Sequence, residues 1–517
     1  MNILSFVSRF LVYGVTCLLL LSPRVARADD RFAGMDAYIR EAMQKWEVPG
    51  LAIAIVKDGE LVLARGYGVC ELGKDGKVTE DTVFPIASCT KSFTAACVAM
   101  LLDEGKLGWD DPVRKHLPDF RVADPYVTEH ITIRDLLCHR TGLVRGDLMA
   151  MTGDFTRAEM LQRVPFLEQA APFRGKFTYH NVMFSVLGEI IEKKSGLDWH
   201  KFVATRIFDP LGMTSTTTDR SSVPVDRLAM RHRFYDTELA PLRTPLADRL
   251  TAEAGAIHST VNDMAKWLRF QLREGEHNGR QLIAKKTLRE MHSLQHSIPV
   301  QWKPDSDVYR ARFVGTGFGW FVRDYRGRKL VQHDGAWGAN MNFVPEENLG
   351  IVVLSNRDWN SLVWMLSYDI VDADLVGQEQ TWSPGGKKWD HWLPLGGPNA
   401  GDRDLKVELK KLEESRAKRT QPSLPLEAYA GTFASKLYSD LHVTAVDGRL
   451  RVKFGTYSAT LDHWEKDAFY GHAVIEPFFD WLVKFDIGED RSVTGLEIIN
   501  IGWKEPDERF VFTRRTR

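Results

Sequence analysis

The chain has 517 residues, with 68 Lys and Arg against 69 Asp and Glu, 44% hydrophobic residues and five Cys. This length points to two or three domains, and the composition is that of a packed globular protein, not a disordered or fibrous one. A formal net charge of −1 excludes a general basic footprint for nucleic acid, and five Cys over this length exclude a small disulfide scaffold.

Met1 to Arg9 carries one basic residue and no acid, Phe10 to Leu21 is an apolar run of twelve, and Ala26-Arg27-Ala28 is a small-x-small cleavage site. Residues 1–28 therefore read as a signal peptide, which directs the mature protein to the periplasm or out of the cell. Left uncleaved, the same segment would be a membrane anchor. Cleavage leaves Cys70, Cys89, Cys97 and Cys138, whose spacing matches no metal knuckle, so buried free thiols are expected.

Residues 29–382 form the first expected domain. Phe32 to Trp46 has helical periodicity, and Leu51–Val56 and Leu61–Gly66 flank an Asp58-Gly59 turn as a hairpin. Helical patterns follow at Ser88–Leu102, Ile133–Leu137, Arg157–Gln169, Val182–Lys194, Val261–Leu272 and Leu282–His292. Strand-like runs return at Gly319–Arg323, Lys329–Gln332, Met341–Pro345 and Ile351–Ser355. Strands at both ends of the segment with helices between them predict an α+β domain, with one sheet built from both chain ends. Pro384-Gly385-Gly386, Gly396-Gly397-Pro398 and the charged stretch Asp402–Arg419 mark residues 383–424 as a linker with one solvated helix. Residues 425–517 then show short alternating runs, among them Leu441–Val446 and Leu450–Phe454 joined at Asp447-Gly448. They predict a small antiparallel β-barrel or sandwich.

Ser88-Cys89-Thr90-Lys91 lies where a strand-like approach turns into a helix. A serine there has its amide beside the positive end of the helix dipole, and a lysine three residues on projects from the same face. A serine hydroxyl is a weak nucleophile that a desolvated lysine can deprotonate. Taken alone the pattern also describes a helix-capping serine beside an exposed lysine, as Ser415 to Lys418 illustrates within a charged stretch. Two further motifs single out the copy at 88. Tyr179-His180-Asn181 stands just before a helix and offers a phenol for proton transfer and an amide to orient Lys91 and substrate. His333-Asp334-Gly335-Ala336 ends a strand, where Gly335 would let substrate approach the backbone and the Ala336 amide would be an oxyanion donor.

In that order and with those flanks, the three motifs resemble the serine β-lactamase and penicillin-binding-protein superfamily. The nearest branch is that of class C β-lactamases, DD-peptidases, D-aminopeptidases and esterases. Val48-Pro49-Gly50-Leu51, Asp81-Thr82-Val83-Phe84, the run Ile131 to Leu143, Pro210-Leu211-Gly212-Met213 and Gly317-Phe318-Gly319-Trp320 resemble that branch's framework. The resemblance spans about residues 32–375 and implies a β-lactamase/transpeptidase-like fold with a helical subdomain. It also implies Ser88 as the acylated nucleophile, Lys91 and Tyr179 as proton carriers, Asn181 as a substrate-orienting amide and the Ser88 and Ala336 amides as the oxyanion hole. Tyr429-Ala430-Gly431-Thr432-Phe433 resembles the start of the lipocalin-like domain appended to some members.

Two departures shape the expected substrate. His333 stands where many members carry a lysine, and neutral imidazole is a poorer anchor for a carboxylate. Asp334 stands where such members often carry Thr or Ser; its charge would repel a substrate carboxylate, or, with its side chain turned to the back of the sheet, would have no such effect. The expected activity is an acyl-enzyme hydrolase of esters, amides or peptides in preference to penicillins. The alternatives are a sensor that acylates without turnover and a non-catalytic scaffold. No Gly-x-Ser-x-Gly elbow, phosphate-cradling loop or His-Glu-x-x-His occurs, so no metal or other cofactor is expected. The expected partners are a small-molecule or peptide substrate and further copies of the chain, assembled through the carboxy-terminal domain.

Overall fold

Apolar runs three hundred residues apart in the chain meet in one sheet. The computed structural model describes residues 32, 34–147, 149, 155–235, 238–242, 251–300, 311–376, 409–417, 420–455, 457–473, 480–501 and 510–515. The expected signal peptide and most of the expected linker lie outside them. The strands of the larger sheet are β1 (Gly50–Lys57), β2 (Glu60–Gly68), β3 (His296–Ile298), β4 (Val314–Thr316), β5 (Phe321–Tyr325), β6 (Arg328–Gly335), β7 (Ala339–Val344) and β8 (Leu349–Ser355). They form one antiparallel sheet in the order β2-β1-β8-β7-β6-β5-β4-β3. The first hairpin is thus seated beside the last strand, Leu51 opposite Ser355.

The alternation of β1 explains why its sequence reads as a continuous apolar run. Ala52, Ala54 and Val56 enter the core on one face, with α2 (Thr90–Asp103), α3 (Val182–Ser195) and α4 (Val261–Leu272). Leu51, Ile53 and Ile55 enter the core on the other, with α1 (Met35–Lys45) and α5 (Leu362–Val376). A strand covered on both faces needs apolar side chains at every position. The amphipathic helix α1 buries Met35, Tyr38, Ile39, Ala42 and Met43, the spacing of one helical face. By contrast α2 is buried on all sides from Thr90 to Leu101, so the lysine it carries is held inside the protein.

Residues 431–514 contribute eight strands: β9 (Gly431–Ala434), β10 (Leu441–Val446), β11 (Arg449–Phe454), β12 (Tyr457–Glu465), β13 (Ala468–Ala473), β14 (Asp480–Ile487), β15 (Val493–Ile501) and β16 (Phe510–Arg514). Each pairs with the next in sequence and β9 pairs with β16, closing a barrel and deciding between the two expected forms. In β11 Leu450, Val452 and Phe454 face inward while Arg449, Arg451 and Lys453 face solvent. Of the linker's described residues, 409–415 are helical and rest Leu409 and Leu412 on Trp464 and Leu482 of the barrel. This helix is therefore docked along one side, where a solvated helix was expected.

Candidate active site

Ser88 lies in a single 3-10 turn, Ala87–Cys89, that runs directly into α2. Ala87 has φ 45°, left-handed backbone that costs a non-glycine residue about 1–2 kcal/mol. The contacts around it hold that strain. A Cβ on Gly335 would sit 2.3 Å from the Ile86 carbonyl oxygen and 3.0 Å from the Ala87 Cβ, so β6 packs on the nucleophile turn through a bare Cα. The missing side chain of Gly335 thus makes room for the turn's own backbone, a demand that the sequence did not reveal.

Lys91 is fully buried, and its ammonium has three acceptors at hand. Nζ donates to Ser88 Oγ at 3.0 Å, to Asn181 Oδ1 at 2.8 Å and to the Ala254 carbonyl at 3.0 Å. Burial pulls its pKa down to about 7, the nearby Asp147 opposes that fall and Arg145 adds to it. A lysine so placed holds a lone pair near neutral pH, within hydrogen-bond reach of the hydroxyl. The Ala254 carbonyl is set by the segment around it: Thr94 Oγ1 donates to the Glu253 carbonyl at 2.7 Å and the Ile257 amide to Thr90 Oγ1 at 3.2 Å.

Tyr179 is half-buried between two cations. Lys91 Nζ lies 4.7 Å and Arg145 Cζ 5.0 Å from its ring centroid, and the His139 ring stacks on it at 4.4 Å. Burial pushes the phenol well above its ordinary pKa, against a hydrogen bond with Ser88 and the Arg145 charge. At neutral pH the phenol is protonated and able to give up a proton. His139 has φ 57° and its Nδ1 accepts the His180 amide at 3.1 Å. Desolvation and the Lys91 charge hold this histidine well below its usual pKa, and neutral imidazole is what stacks beside the phenol.

Sequence reasoning missed two residues that tie the site together. Asn181 Nδ2 donates to Asp147 Oδ1 at 3.0 Å, and Arg145 Nε donates to Asp147 Oδ2 at 2.7 Å. Asp147 thus holds the Asn181 amide with its oxygen toward Lys91. No period in the sequence marks either residue, and a partner for Tyr-x-Asn was the signal to look for. Beside the proposed oxyanion donors, Ala87, Ala336 and Trp337 form a small apolar cluster. The Arg231 guanidinium stacks on Trp337 at 4.3 Å and is held by Asp358 at 3.0 and 2.6 Å. The Trp359 amide donates to the Ala336 carbonyl at 3.2 Å, which fixes the peptide next to the Ala336 N–H.

His333 is 2% exposed, its Nδ1 donates to the Asp334 carbonyl at 2.8 Å, and burial with the Lys91 charge brings its pKa to about 3. The site therefore has a neutral imidazole at this position. Successive strand residues leave opposite faces, so Asp334 shares the face of Gln332, which accepts from Tyr368 of α5 at 3.0 Å, and His333 that of Val331. Asp334 meets the site through its field, since its charge acts on both Lys91 and Tyr179, and burial raises its own pKa to about 6. Of the two orientations the sequence allowed for Asp334, the alternation favours the one toward the back of the sheet. Cys89 is no rival nucleophile: its thiol is buried, donates to the His333 carbonyl at 3.4 Å, and burial pushes its pKa well up. Cys70, Cys97 and Cys138 are buried free thiols as well, and no metal-holding group of side chains occurs among the described residues. His292 is buried and shares a hydrogen bond with Gln271 Oε1 at 2.9 Å. Ser415 is exposed on the docked helix, and Lys418 lies outside the described residues.

A two-faced antiparallel sheet carrying Ser-x-x-Lys on a buried helix, with Tyr-x-Asn and a strand-borne His-x-Gly around it, defines the β-lactamase/transpeptidase class of fold. Residues 35–361 match the Beta-lactamase family model, and the chain belongs to that family. Residues 415–513 match a domain of unknown function, DUF3471. The unguisins hydrolase ungD' of Aspergillus campestris is 25% identical over 429 residues, 78% of this chain and 76% of that protein. Penicillin-binding protein 4 of Amycolatopsis lactamdurans is 30% identical over 324 residues, 60% of this chain and 81% of that protein. The octameric penicillin-binding protein homologue from Pyrococcus abyssi is alike in fold, with a TM-score of 0.57 at 22% identity over 93% of this chain and 99% of that one.

Proposed function

We propose that the protein is a serine hydrolase that cleaves ester, amide or peptide bonds through an acyl-enzyme on Ser88. The observation that carries this reading is the 3.0 Å hydrogen bond between Ser88 Oγ and the fully buried Lys91 Nζ, whose pKa is about 7. Ser88 Oγ attacks the acyl carbon as its proton passes to neutral Lys91, and the oxyanion takes the Ser88 and Ala336 N–H groups. The Tyr179 phenol gives its proton to the departing nitrogen or oxygen and is reprotonated from Lys91. Water then attacks the ester along the same path, releasing the acid and restoring Ser88. Carboxylate-bearing β-lactams are poor substrates in this reading, because His333 is neutral where a cation would anchor the carboxylate. We further assign the protein to the periplasm or exterior on the strength of residues 1–28, and to an assembly of copies formed through the barrel.

A burst experiment with p-nitrophenyl acetate tests the reading. Continued turnover supports an enzyme, one stoichiometric acylation would favour the sensor, and an unlabelled Ser88 would remove both. Ser88→Ala abolishes labelling while keeping the fold. A kcat/KM for a cephalosporin that rivals the ester's would overturn the substrate preference.

A further inference from the structure

A cleft of about 310 Å³ opens where the barrel meets the active-site loop, with Val144, Phe166, Glu168, Lys436, Tyr438 and Val511 in its walls. Lys436 Nζ, from the turn between β9 and β10, lies 5.8 Å from the Phe166 ring centroid and closes the cleft across the two domains. We propose that this cleft is the leaving-group subsite of the enzyme and takes a short peptide segment with an apolar side chain, so that the barrel completes the substrate site.

The floor of the cleft adjoins the segment that packs on Tyr179. The Val144 amide donates to the Glu168 carbonyl at 2.9 Å, and Leu143 bridges Gln169, so one short ladder forms the floor. The next residue, Arg145, sits 5.0 Å from the Tyr179 ring centroid, and the Leu143 carbonyl bonds His180 Nε2 at 2.9 Å. The floor of the cleft is thus continuous with Arg145, which packs on the phenol assigned above as proton donor, and on that adjacency we place the leaving group's remainder there.

The lining selects the ligand class. Phe166 and Val511 are 46% and 47% exposed although large and apolar, and buried Tyr438 and Val144 lie behind them. Glu168 and Lys436 carry opposite charges, so the cleft has no net field for an anion or a polycation. A volume near the lower end of ligand sites fits one or two peptide residues. The proposal rests on the acyl-enzyme reading above.

Acyl transfer tests it. With p-nitrophenyl acetate as donor and the dipeptide amide Phe-Leu-NH2 as acceptor, the amine nitrogen attacks the acetyl carbon and the bond to Ser88 Oγ breaks. The amine proton passes through Tyr179 to Ser88, releasing the acetylated dipeptide. The expected result is transfer that saturates with dipeptide, with a transfer-to-hydrolysis ratio that falls about tenfold in Phe166→Ala and in Val511→Glu. Both side chains are nearly half exposed, and labelling of Ser88 by a fluorophosphonate reports an intact fold in each variant. Acetyl-Ser88 that forms but transfers without saturation, or with the same ratio in both variants, would overturn the cleft alone. No acetyl-Ser88 by mass spectrometry would overturn the acyl-enzyme reading and the cleft with it.

Discussion

Removing the Asp147 charge should move the acid limb of the pH–rate profile downward. In the proposed mechanism Lys91 must lose its proton to accept one from Ser88, so kcat/KM should rise with pH through about 7. The charges of Asp147 and Lys91 are separated by one Asn181 amide, with contacts of 3.0 and 2.8 Å at its two ends, so they lie within roughly 8 Å. At an effective dielectric of about 20 that attraction is about 2 kcal/mol, or roughly 1.5 pH units on Lys91. Asp147→Asn keeps an acceptor for Asn181 Nδ2 and leaves the Arg145 charge unopposed, so both effects favour neutral Lys91. Arg145→Gln removes a cation that lowers the lysine's pKa, and its limb should move upward. The assay is kcat/KM for p-nitrophenyl acetate from about pH 5 to about pH 9, with thermal denaturation as a check on the fold. A limb that stays in place in Asp147→Asn, or limbs that move the same way in both variants, would refute the electrostatic coupling.

Gly335→Ala should drive a methyl group into the Ile86 carbonyl and destabilise the fold by roughly 1–3 kcal/mol, seen as a lower Tm together with slower acylation. Tyr179→Phe removes the proton donor and should slow acylation by about a hundredfold or more, read in single-turnover kinetics. In the unmodified protein, with the phenol held above its ordinary pKa by burial, activity should stay level through the pH range where a free tyrosine titrates. His333→Lys would place an ammonium beside the site and should raise the cephalosporin-to-ester ratio of kcat/KM by about tenfold. A ratio that does not change would show that the imidazole is not what limits β-lactams.

The strongly periodic parts of the chain were legible in sequence. The apolar face of α1, the Asp58-Gly59 hairpin and the inward alternation of β11 each follow from burial with a fixed period. Strands β3 and β4 were not foreseen because three residues, His296–Ile298 and Val314–Thr316, are too few to display a period. Strand β12 was hidden by a register shift between His463 and Glu465 that breaks its alternation. The expected helix Arg157–Gln169 ends as α-helix at Arg163, where Pro165 in the following 3-10 turn Val164–Phe166 cannot continue its hydrogen bonding. Within the site, Ser88, Lys91, Tyr179 and Asn181 were legible because the chemistry fixes their spacing along single elements. Asp147, Arg145 and the Ala254 carbonyl were not, since they reach Lys91 only through tertiary contact and one of them acts through backbone. The left-handed Ala87 was equally invisible, because nothing in an alanine announces a positive φ.

The two sheets make opposite demands on the order in which the chain is made. In the barrel every strand but the last finds its partner in the next stretch to emerge, so ribosome and barrel can advance together. The larger sheet seats Leu51 against Ser355, which leaves the opening hairpin without its inner neighbour until nearly all of that domain has been synthesised. Truncations that end before β8 should therefore yield an aggregating fragment, because the edges of β1 and β7 that would pair with that strand are left open to other chains.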